Sequence, residues 1–387
     1  MDNVALIGCP SYEERAVRRC VEEAVEAAGG LSSVIRPGSA VLLKVNLLRA
    51  APPEEAITTH PAVVAAVAGM VRDLGGRAII ADSPGSGYRY NQRVMDGVYL
   101  KCGMKEAAQK TDAELNRDMG VKSVSHPTGM LIKHLDVIRP VLEADVIINI
   151  PKAKTHSYMY FTGAVKNLFG IIPGLAKPGY HSKLNDTERF ARMLVDLVAL
   201  TPPAINIMDA VVGMEGDGPS SGSPRSMGLI MASTSAAALD VGLCRVMGRD
   251  PLAFPTVRAT MERGWLPPGP DGIKWKGMDP QEVVVKDFQM PATMLSEDGF
   301  SRLSILHRMT RPFFRSMFTV RPAVIEERCI GCGACQRSCP VEAVKVDGRS
   351  IARIDDRLCI RCYCCHEMCP ERAIELKRSL LNRIFLK

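Results

Sequence analysis

A duplicated run of cysteines near the end of the chain constrains its folding more than any other feature. The two copies, CIGCGACQRSCPVEAV (329–344) and CIRCYCCHEMCPERAI (359–374), start thirty residues apart and share the spacing C-x₂-C-x₂-C-x₃-C-P. Nine of the thirteen cysteines lie between Cys329 and Cys369. Because the sequence opens without the pattern of a secretory signal, such crowding indicates metal binding rather than disulfide bonds.

These runs resemble the two-cluster ferredoxins of bacteria over about Ile325 to Leu376. The resemblance implies two [4Fe–4S] clusters, in which the fourth cysteine of each run ligates the cluster of the other run. The implied ligands are Cys329, Cys332, Cys335 and Cys369 for the first cluster, and Cys359, Cys362, Cys365 and Cys339 for the second. A structural zinc site, which usually takes two CxxC pairs, is the alternative, and eight cysteines in this duplicated register disfavour it.

Three of the differences between the two runs concern the clusters. Arg361 and Tyr363 stand where the first run has Gly331 and Gly333. A cation near a cluster favours its reduced, more negative state, so we expect the second cluster to have the higher reduction potential. Cys364 is an extra thiol, which we interpret as a spare residue, with an exchange of ligands as the alternative.

The rest of the sequence alternates between apolar strands and amphipathic helices. The predicted strands are 4–9, 40–45, 78–82, 146–150, 204–209 and 228–233, and the predicted helices are 13–28, 61–74, 187–200 and 235–247. This alternation predicts an α/β fold with a mostly parallel sheet and helices on both faces, followed by a small α+β dicluster ferredoxin domain. We expect an anion-binding or substrate-binding domain at 1–250, an irregular connecting segment at 251–321, and the ferredoxin domain with its basic tail at 322–387.

Polar residues follow four of the predicted strands at the points where those strands end. In open α/β sheets, ligands bind beyond the carboxyl ends of the strands. The stretch PKAKTHSYMYFTGAVKNLFG (151–170) is especially rich in cations, for which phosphate or carboxylate groups are the natural partners. We therefore expect an anionic small molecule at this edge. The expected catalytic residues are His156, Lys166 and His181, and the expected binding residues are Lys44, Asn46, Asp82, Lys152, Lys154, Thr155, Asn167, Lys177, Asp209 and Glu215.

A glycine-rich stretch, DAVVGMEGDGPSSGSP (209–224), adds three carboxylates to this region. They could hold a divalent cation near His156, act as acid and base, or pair with the lysines. The chain has neither a G-x-G-x-x-G sequence after a strand nor a Walker A sequence, so no motif predicts NAD, FAD or ATP.

Four segments together resemble the family of domain of unknown function 362, whose members include uncharacterised iron–sulfur proteins. They are KVNLL (44–48), IPKAKTH (150–156), TGAVKNLFGIIPG (162–174) and DAVVGMEGDGPSSG (209–222). The resemblance spans about residues 1–250 together with the ferredoxin part. The resemblance supports the view that the lysine-rich segment is a site common to the family. It does not imply a particular substrate.

Charge and hydropathy restrict the partners. The net charge of +7 is mild for 387 residues, and we expect no nucleic acid as a partner. The longest apolar stretch, about 62–71, is too short to span a bilayer, so we expect a cytoplasmic protein without a transmembrane segment. The basic amphipathic segments 301–321 and 377–387 could touch an anionic membrane, although packing on the protein itself is the favoured interpretation.

Together these features favour an iron–sulfur oxidoreductase of anaerobic type. We expect a reductase that relays single low-potential electrons from the clusters to the bound anion, with an external electron donor or acceptor. The missing two-electron cofactor keeps an alternative open, an electron-transfer or cluster-delivery protein for a partner enzyme. A non-redox lyase or isomerase with purely structural clusters is a third hypothesis.

Overall fold

The computed structural model of the chain describes most of both halves of the sequence. The described residues are 2–266, 272–294, 320–346, 348 and 351–378. The predicted amphipathic segments 301–321 and 377–387 therefore lie outside the described residues except for their edges. The surface contacts expected of these two segments stay predictions.

A mostly parallel sheet of ten strands forms the centre of the first part of the chain, which confirms the predicted fold class. Its strands are β1 (Asn3–Gly8), β2 (Ala40–Lys44), β3 (Arg77–Ala81), β4 (Glu114–Leu115), β7 (Val146–Asn149), β8 (Lys152–His156), β9 (Tyr160–Thr162), β10 (Ile205–Glu215), β11 (Ser223–Ser233) and β12 (Lys274–Gly277). They follow the order β12-β1-β11-β10-β7-β2-β3-β4, with β8 also paired to β10 and β9 to β8. A separate hairpin joins β5 (Val121–Ser125) to β6 (His134–Ile138).

Two hydrophobic cores cover the opposite faces of this sheet. Alternation along β2 shows the division, because Leu42 belongs to one core and Val41 and Leu43 belong to the other. Helices pack on both faces, as predicted. They are α1 (Glu14–Ala28), α2 (Pro61–Asp73), α3 (Gln92–Lys101), α4 (Met104–Thr111), α5 (Pro140–Glu143), α6 (Ala164–Asn167), α7 (Lys177–Lys183), α8 (Thr187–Leu200), α9 (Ala236–Val246) and α10 (Pro255–Glu262).

The cysteine runs lie in a small α+β unit, again as predicted. Two antiparallel strand pairs frame it, β13 (Arg321–Val324) with β16 (Ile374–Lys377) and β14 (Val344–Val346) with β15 (Ala352–Ile354). Each run carries a short helix, α11 (Ala334–Arg337) or α12 (Cys364–Met368). We call this unit, residues 320–378, the dicluster domain.

Three segments beyond the predicted strands and helices are more regular than expected. The cationic stretch after β7 is the strand β8, which pairs with β10, because its buried backbone groups need partners. Asp209 and Glu215 lie within β10, so the glycine-rich loop is confined to 216–222. Within 251–321, α10 packs on α8 and β12 pairs with β1, so this part of the segment joins the first domain.

Candidate functional site

A lysine-rich cavity lies beyond the ends of β2, β3 and β7, where the sequence predicts a site. The space open to the centre of a water molecule is about 50 Å³. The cavity is lined by Asn46, Leu48, Asp82, Ser83, Gly85, Ser86, Lys154, His156, Thr162, Lys166, Asn167, Phe169, Gly170, Lys177, His181, Pro219 and Glu367. Eight of the thirteen predicted catalytic and binding residues thus meet in one place.

A chain of four asparagines, three of them buried, connects the strand ends behind the cavity. The Asn46 amide donates to Asn167 (2.9 Å), Asn167 donates to Asn149 (2.7 Å), and Asn149 donates to Asn206 (2.8 Å). The side-chain oxygen of Asn46 accepts a hydrogen bond from Lys154 Nζ at 2.8 Å. The chain therefore fixes the ammonium of Lys154, which also donates to the carbonyl of Ile57 (2.6 Å).

The Lys44 and Asp82 side chains form a buried ion pair at the same edge of the sheet. Lys44 Nζ lies 2.9 Å from Asp82 Oδ1. The two Asp82 oxygens also accept from the backbone N–H groups of Ser83 and Leu47. With its acceptor sites engaged in this way, Asp82 holds the loops after β2 and β3 together and supplies a negative charge at the cavity wall.

Lys177 closes another side of the cavity. Its ammonium donates to Ser83 O (3.1 Å), Ser83 Oγ (2.8 Å) and Pro84 O (2.6 Å). Because an ammonium group has three protons, Lys177 has none left for a ligand. It contributes positive charge rather than a direct hydrogen bond.

Other polar groups of the cavity are buried without a hydrogen-bond partner. Within the described part of the chain, no hydrogen bond engages His156 Nε2, Thr162 Oγ1 or His181 Nδ1. Their side chains are all 2–3% exposed. Lys166 Nζ makes no hydrogen bond to a described residue and lies 5.7 Å from the centre of the Phe169 ring. Buried polar groups are normally paired, so these atoms point to something that binds there.

Burial sets the protonation of these groups. It lowers the pKa of Lys154 and of Lys177 to about 7, against the model-peptide value near 10.4 for lysine. Burial, with Lys166 nearby, lowers the pKa of His181 to about 3 and that of His156 well below its usual range. The two imidazoles are therefore neutral near pH 7, whereas the two lysines lose or gain a proton there.

Lys152 and Asp209 lie outside the cavity, in a network of their own. Lys152 Nζ donates to Asp209 (2.8 Å) and to the Tyr12 hydroxyl (2.8 Å). The same carboxylate accepts from Tyr12 OH (2.7 Å) and His60 N (2.8 Å). The rings of Tyr12 and His60 are stacked 3.5 Å apart. With all these partners, Asp209 anchors the loop before α1 and the start of α2 to the sheet.

The two remaining predicted residues, Thr155 and Glu215, lie at or near the loop 216–222. Thr155 Oγ1 accepts from Gly218 N (3.3 Å), and Ser157 donates from both N and Oγ to the Gly218 carbonyl. Glu215 accepts from Gln289 N and lies 3.6 Å from Arg225, away from the cavity. Thr155 therefore contacts the loop whose Pro219 lines the cavity. Glu215 does not line the cavity and is separated from His156.

The dicluster domain supplies the last wall of the cavity. Glu367 of α12 is buried, and its Oε2 atom lies 3.7 Å from His156 Nε2. The Glu367 carbonyl accepts from Ser220 Oγ at 2.5 Å, and His366 Nε2 lies 2.9 Å from the Asp217 carbonyl. Loop 216–222 is therefore attached to the first domain on one side and to α12 on the other.

Two further contacts fix this junction. Arg372 of the dicluster domain lies 3.2 Å from Glu55 of the first domain. A side chain at Gly85 would place its Cβ 2.8 Å from Met368 Sδ and 2.9 Å from the Leu48 carbonyl, so the two domains approach each other closely there. The cavity is consequently a joint product of both domains.

The eight predicted ligand cysteines lie close together, and the four predicted for the first cluster line one cavity. Cys329, Cys332, Cys335 and Cys369 line one cavity, although Cys369 belongs to the second run. Cys365 lies among Cys359, Cys362, Cys335 and Cys339. Backbone N–H groups point at three of these sulfurs, from Ala352 to Cys329, from Ala343 to Cys339 and from Ala373 to Cys369. Thiol sets with such N–H donors fit [4Fe–4S] clusters.

The unusual residues of the second run keep the backbone of the first. Arg361 and Tyr363 have φ angles of 60° and 61°, beside 65° and 71° for Gly331 and Gly333. This left-handed conformation costs of order 1–3 kcal/mol for a residue other than glycine. Both side chains make contacts that glycine cannot make. The Arg361 guanidinium lies against the Cys359 sulfur and pairs with Asp356 at 2.5 Å. The Tyr363 hydroxyl donates a hydrogen bond to Val320 O.

Two kinds of feature are absent from the described residues. No group of three or more histidine, cysteine, aspartate or glutamate side chains is arranged to hold a single metal ion in the described ranges. No helix in the same ranges has the length and apolar character needed to cross a membrane.

Fold and site together define an α/β protein joined to a ferredoxin-type iron–sulfur domain. Residues 328–376 match the family of the 4Fe-4S dicluster domain, which supports an iron–sulfur electron-transfer role. Residues 41–245 match the family described as "Domain of unknown function (DUF362)", and the chain belongs to that family.

Two known proteins are similar to this chain. It is 33% identical to the thylakoid-associated protein sll1697 of Synechocystis sp. over 297 residues, which covers 76% of this chain and 90% of that protein. The lactate racemase apoprotein of Thermoanaerobacterium thermosaccharolyticum matches with a TM-score of 0.41 and 14% identity, over 63% of this chain and 57% of that one.

Several residues of the site were missed by the sequence analysis. Glu367 and Thr162 carry no recognisable pattern of their own, since only the docking of two domains and the pairing of β9 bring them to the cavity. Asn149 and Asn206 do carry a signal, because an asparagine in the middle of an otherwise apolar buried strand requires polar partners.

Proposed function

We propose that the protein is an iron–sulfur reductase that delivers electrons from its dicluster domain to a small anionic molecule in the lysine-rich cavity. One observation carries the proposal: helix α12 holds both the predicted cluster ligand Cys365 and the cavity residue Glu367. The same short helix therefore belongs to the electron-transfer domain and forms part of the cavity wall. The proposal rests on this junction, on the cationic lining and on the dicluster domain itself.

A second contact route leads from the cysteines to the cavity. Cys364, whose thiol is fully buried, lies beside both the predicted ligand Cys362 and the cavity residue Ser86. The neighbouring Cys362 and burial raise the pKa of this thiol well above its usual range, so it is neutral near pH 7. The extra thiol of the second run therefore lies between the second cluster set and the cavity.

Different side chains of the cavity would bind the anion and donate the proton. A [4Fe–4S] cluster, when bound, exchanges one electron at a time with its surroundings. Lys166 and the remaining proton of Lys154 bind the anion, and His156 donates a hydrogen bond from Nε2. Lys154 is also the better proton donor, because its pKa of about 7 matches the operating pH, whereas His156 and His181 are neutral there.

Electrons would reach the protein at the outer side of the dicluster domain. Cys332 is exposed, and the nearby apolar side chain of Ile330 is 63% exposed. Each set has two buried cysteines, but the second set has no exposed one. We infer that an external electron donor or acceptor meets the first cluster, and that the second cluster faces the cavity. The expected cytoplasmic location stays a prediction.

Native mass spectrometry and reoxidation kinetics test the proposal. The protein is purified without oxygen from its own host, and its mass is compared with that of the chain plus two [4Fe–4S] clusters. We expect a further small mass that is lost in Lys166→Met and kept in the control Lys122→Met, which removes an exposed lysine of β5. That compound should reoxidise the dithionite-reduced protein, and reoxidation should slow at least tenfold in Lys166→Met.

A different result would favour the alternative function. The exposed surface around Cys332 also suits a protein that carries electrons or clusters to a partner enzyme. If only cluster mass is present, a second protein is co-purified, and Lys166→Met leaves electron transfer to that protein unchanged, the reductase proposal fails and the carrier is adopted.

A further inference from the structure

The donors in the lysine-rich cavity outnumber the acceptors. His156 Nδ1 accepts from Tyr158 N (3.0 Å) and Met159 N (3.3 Å), so the ring proton is on Nε2, which points to the cavity without a partner. Thr162 Oγ1 is likewise buried and unpartnered. Lys166 offers three protons and makes no hydrogen bond to a described residue. A ligand that satisfies these groups must be rich in acceptors.

The acceptors of the cavity are already engaged. Both Asp82 oxygens receive backbone N–H groups, and Oδ1 also faces Lys44. The Asn46 oxygen accepts from Lys154. This leaves one ring nitrogen of the neutral His181 and the Glu367 carboxylate, whose Oε2 lies 3.7 Å from His156 Nε2, beyond hydrogen-bond distance. The dicluster domain thus places one carboxylate beside the unpartnered donors without completing their hydrogen bonds.

The size of the cavity limits the ligand. A single water needs roughly 10–15 Å³ by the measure used for cavities that hold water. The cavity offers about 50 Å³, room for roughly three to five waters. Acetate and inorganic phosphate are of this size, whereas nucleotides and coenzymes are far larger.

We propose that the cavity is a binding site for a compact oxyanion held by Lys166, His156 and Thr162, and that the Glu367 carboxylate competes for the same donors. The oxyanion is either the carboxylate of a small organic acid or a tetrahedral inorganic oxyanion, since both present the same acceptor oxygens. The inference deepens the proposed reductase function by naming the ligand class of its site, and it rests on that function only for its biological role.

Calorimetric titration of the protein with both clusters oxidised tests the inference separately from catalysis. The probes are sodium acetate and inorganic phosphate, in an oxygen-free buffer without other carboxylates or phosphate. We expect one equivalent of a probe to bind, at least tenfold more weakly in Lys166→Met and severalfold more weakly in Thr162→Val. Glu367→Gln should bind about tenfold more tightly, because it removes the competing charge. Lys122→Met and Glu371→Gln, at exposed positions, should match the parent protein.

The two probes separate the sources of the oxyanion, since preference for acetate assigns an organic acid and preference for phosphate an inorganic ion. The inference is overturned if neither probe binds the parent protein or Glu367→Gln, or if Glu367→Gln binds no more tightly. Should Lys166→Met lose its cluster absorbance, Thr162→Val and Glu367→Gln still decide the question. Binding of a probe without reoxidation of the reduced protein supports the oxyanion site and counts against the reductase alone.

Discussion

His156 Nε2 and Glu367 Oε2 lie 3.7 Å apart although they belong to different domains, one at the end of β8 and the other in α12. His156 is fixed by two backbone N–H groups at its other ring nitrogen. Glu367 is fixed through its carbonyl by Ser220. A conformational change in the dicluster domain would therefore alter the charge inside the lysine-rich cavity, and a bound anion would act back on α12.

Anion affinity should fall as the pH rises through neutrality. Burial lowers the pKa of Lys154 and Lys177 to about 7, and an anion prefers their protonated forms. Lys166, Asp82 and Glu367 are the nearby charges that act on both. Binding should be strongest below pH 7, weaken between pH 7 and 9, and take up protons. Titrations in buffers of different ionisation heat measure this uptake, and an affinity independent of pH would contradict the prediction.

Exchange of single cysteines should show which residues share a cluster. We expect Cys369→Ser and Cys332→Ser to lose the same cluster and about half of the iron, because both cysteines line one cavity. Cys364→Ser serves as the control and should keep both clusters. Iron analysis and the electron paramagnetic resonance spectrum of the reduced protein measure the result. Loss of iron in Cys364→Ser would instead identify Cys364 as a ligand.

Arg361 should raise the reduction potential of the second cluster. Its guanidinium lies against the sulfur of Cys359, so Arg361→Gln removes a positive charge that favours the reduced state. We expect the potential to fall by about 60 mV, which corresponds to roughly 1.4 kcal/mol for one electron. Redox titration followed by electron paramagnetic resonance gives the value. Arg357→Gln, whose side chain is 89% exposed, is the control and should leave the potential unchanged.

Gly170→Ala should disturb the cavity wall. A Cβ atom there would lie 2.0 Å from Asp82 Oδ1 and 2.6 Å from Lys44 Nζ, so the buried ion pair has to separate. Breaking such a pair costs about 3–5 kcal/mol of unfolding free energy. We expect a melting temperature several degrees lower in oxygen-free thermal unfolding. Gly179→Ala in α7 has open space around its Cβ and should melt within a degree or so of the parent protein. If the two variants had the same melting temperature, the Lys44–Asp82 ion pair would have accommodated the added methyl group, and the prediction would be wrong.

Much of this fold follows from local pattern. The strands 40–45, 78–82 and 146–150 are short apolar runs bounded by polar residues, and they form β2, β3 and β7 within a residue or so of the predicted ends. The rule that ligands bind beyond the carboxyl ends of parallel strands then places Lys44, Asn46 and Asp82 near one another. Periodicity and topology together were sufficient for this part of the site.

The remaining features depend on contacts between distant parts of the chain. Lys152 and Lys154 are two residues apart on one strand, yet one pairs with Asp209 and the other lines the cavity. Their cationic sequence resembles a solvated loop, whereas both side chains are almost fully buried. Burial of lysines requires partners from β10, from the asparagine chain and from a second domain, and no local pattern shows where those partners will be.

The position of Glu367 has a consequence for the modularity of the protein. A ferredoxin-type domain at the end of a chain looks like a part that can be removed or replaced by another electron carrier. Here one of its helices completes the wall of the cavity, and Ser220 and Asp217 hold that helix in place. A replacement domain would need an acidic residue two positions after a cluster cysteine, in the same orientation. A replacement domain without that residue would leave the wall of the cavity incomplete.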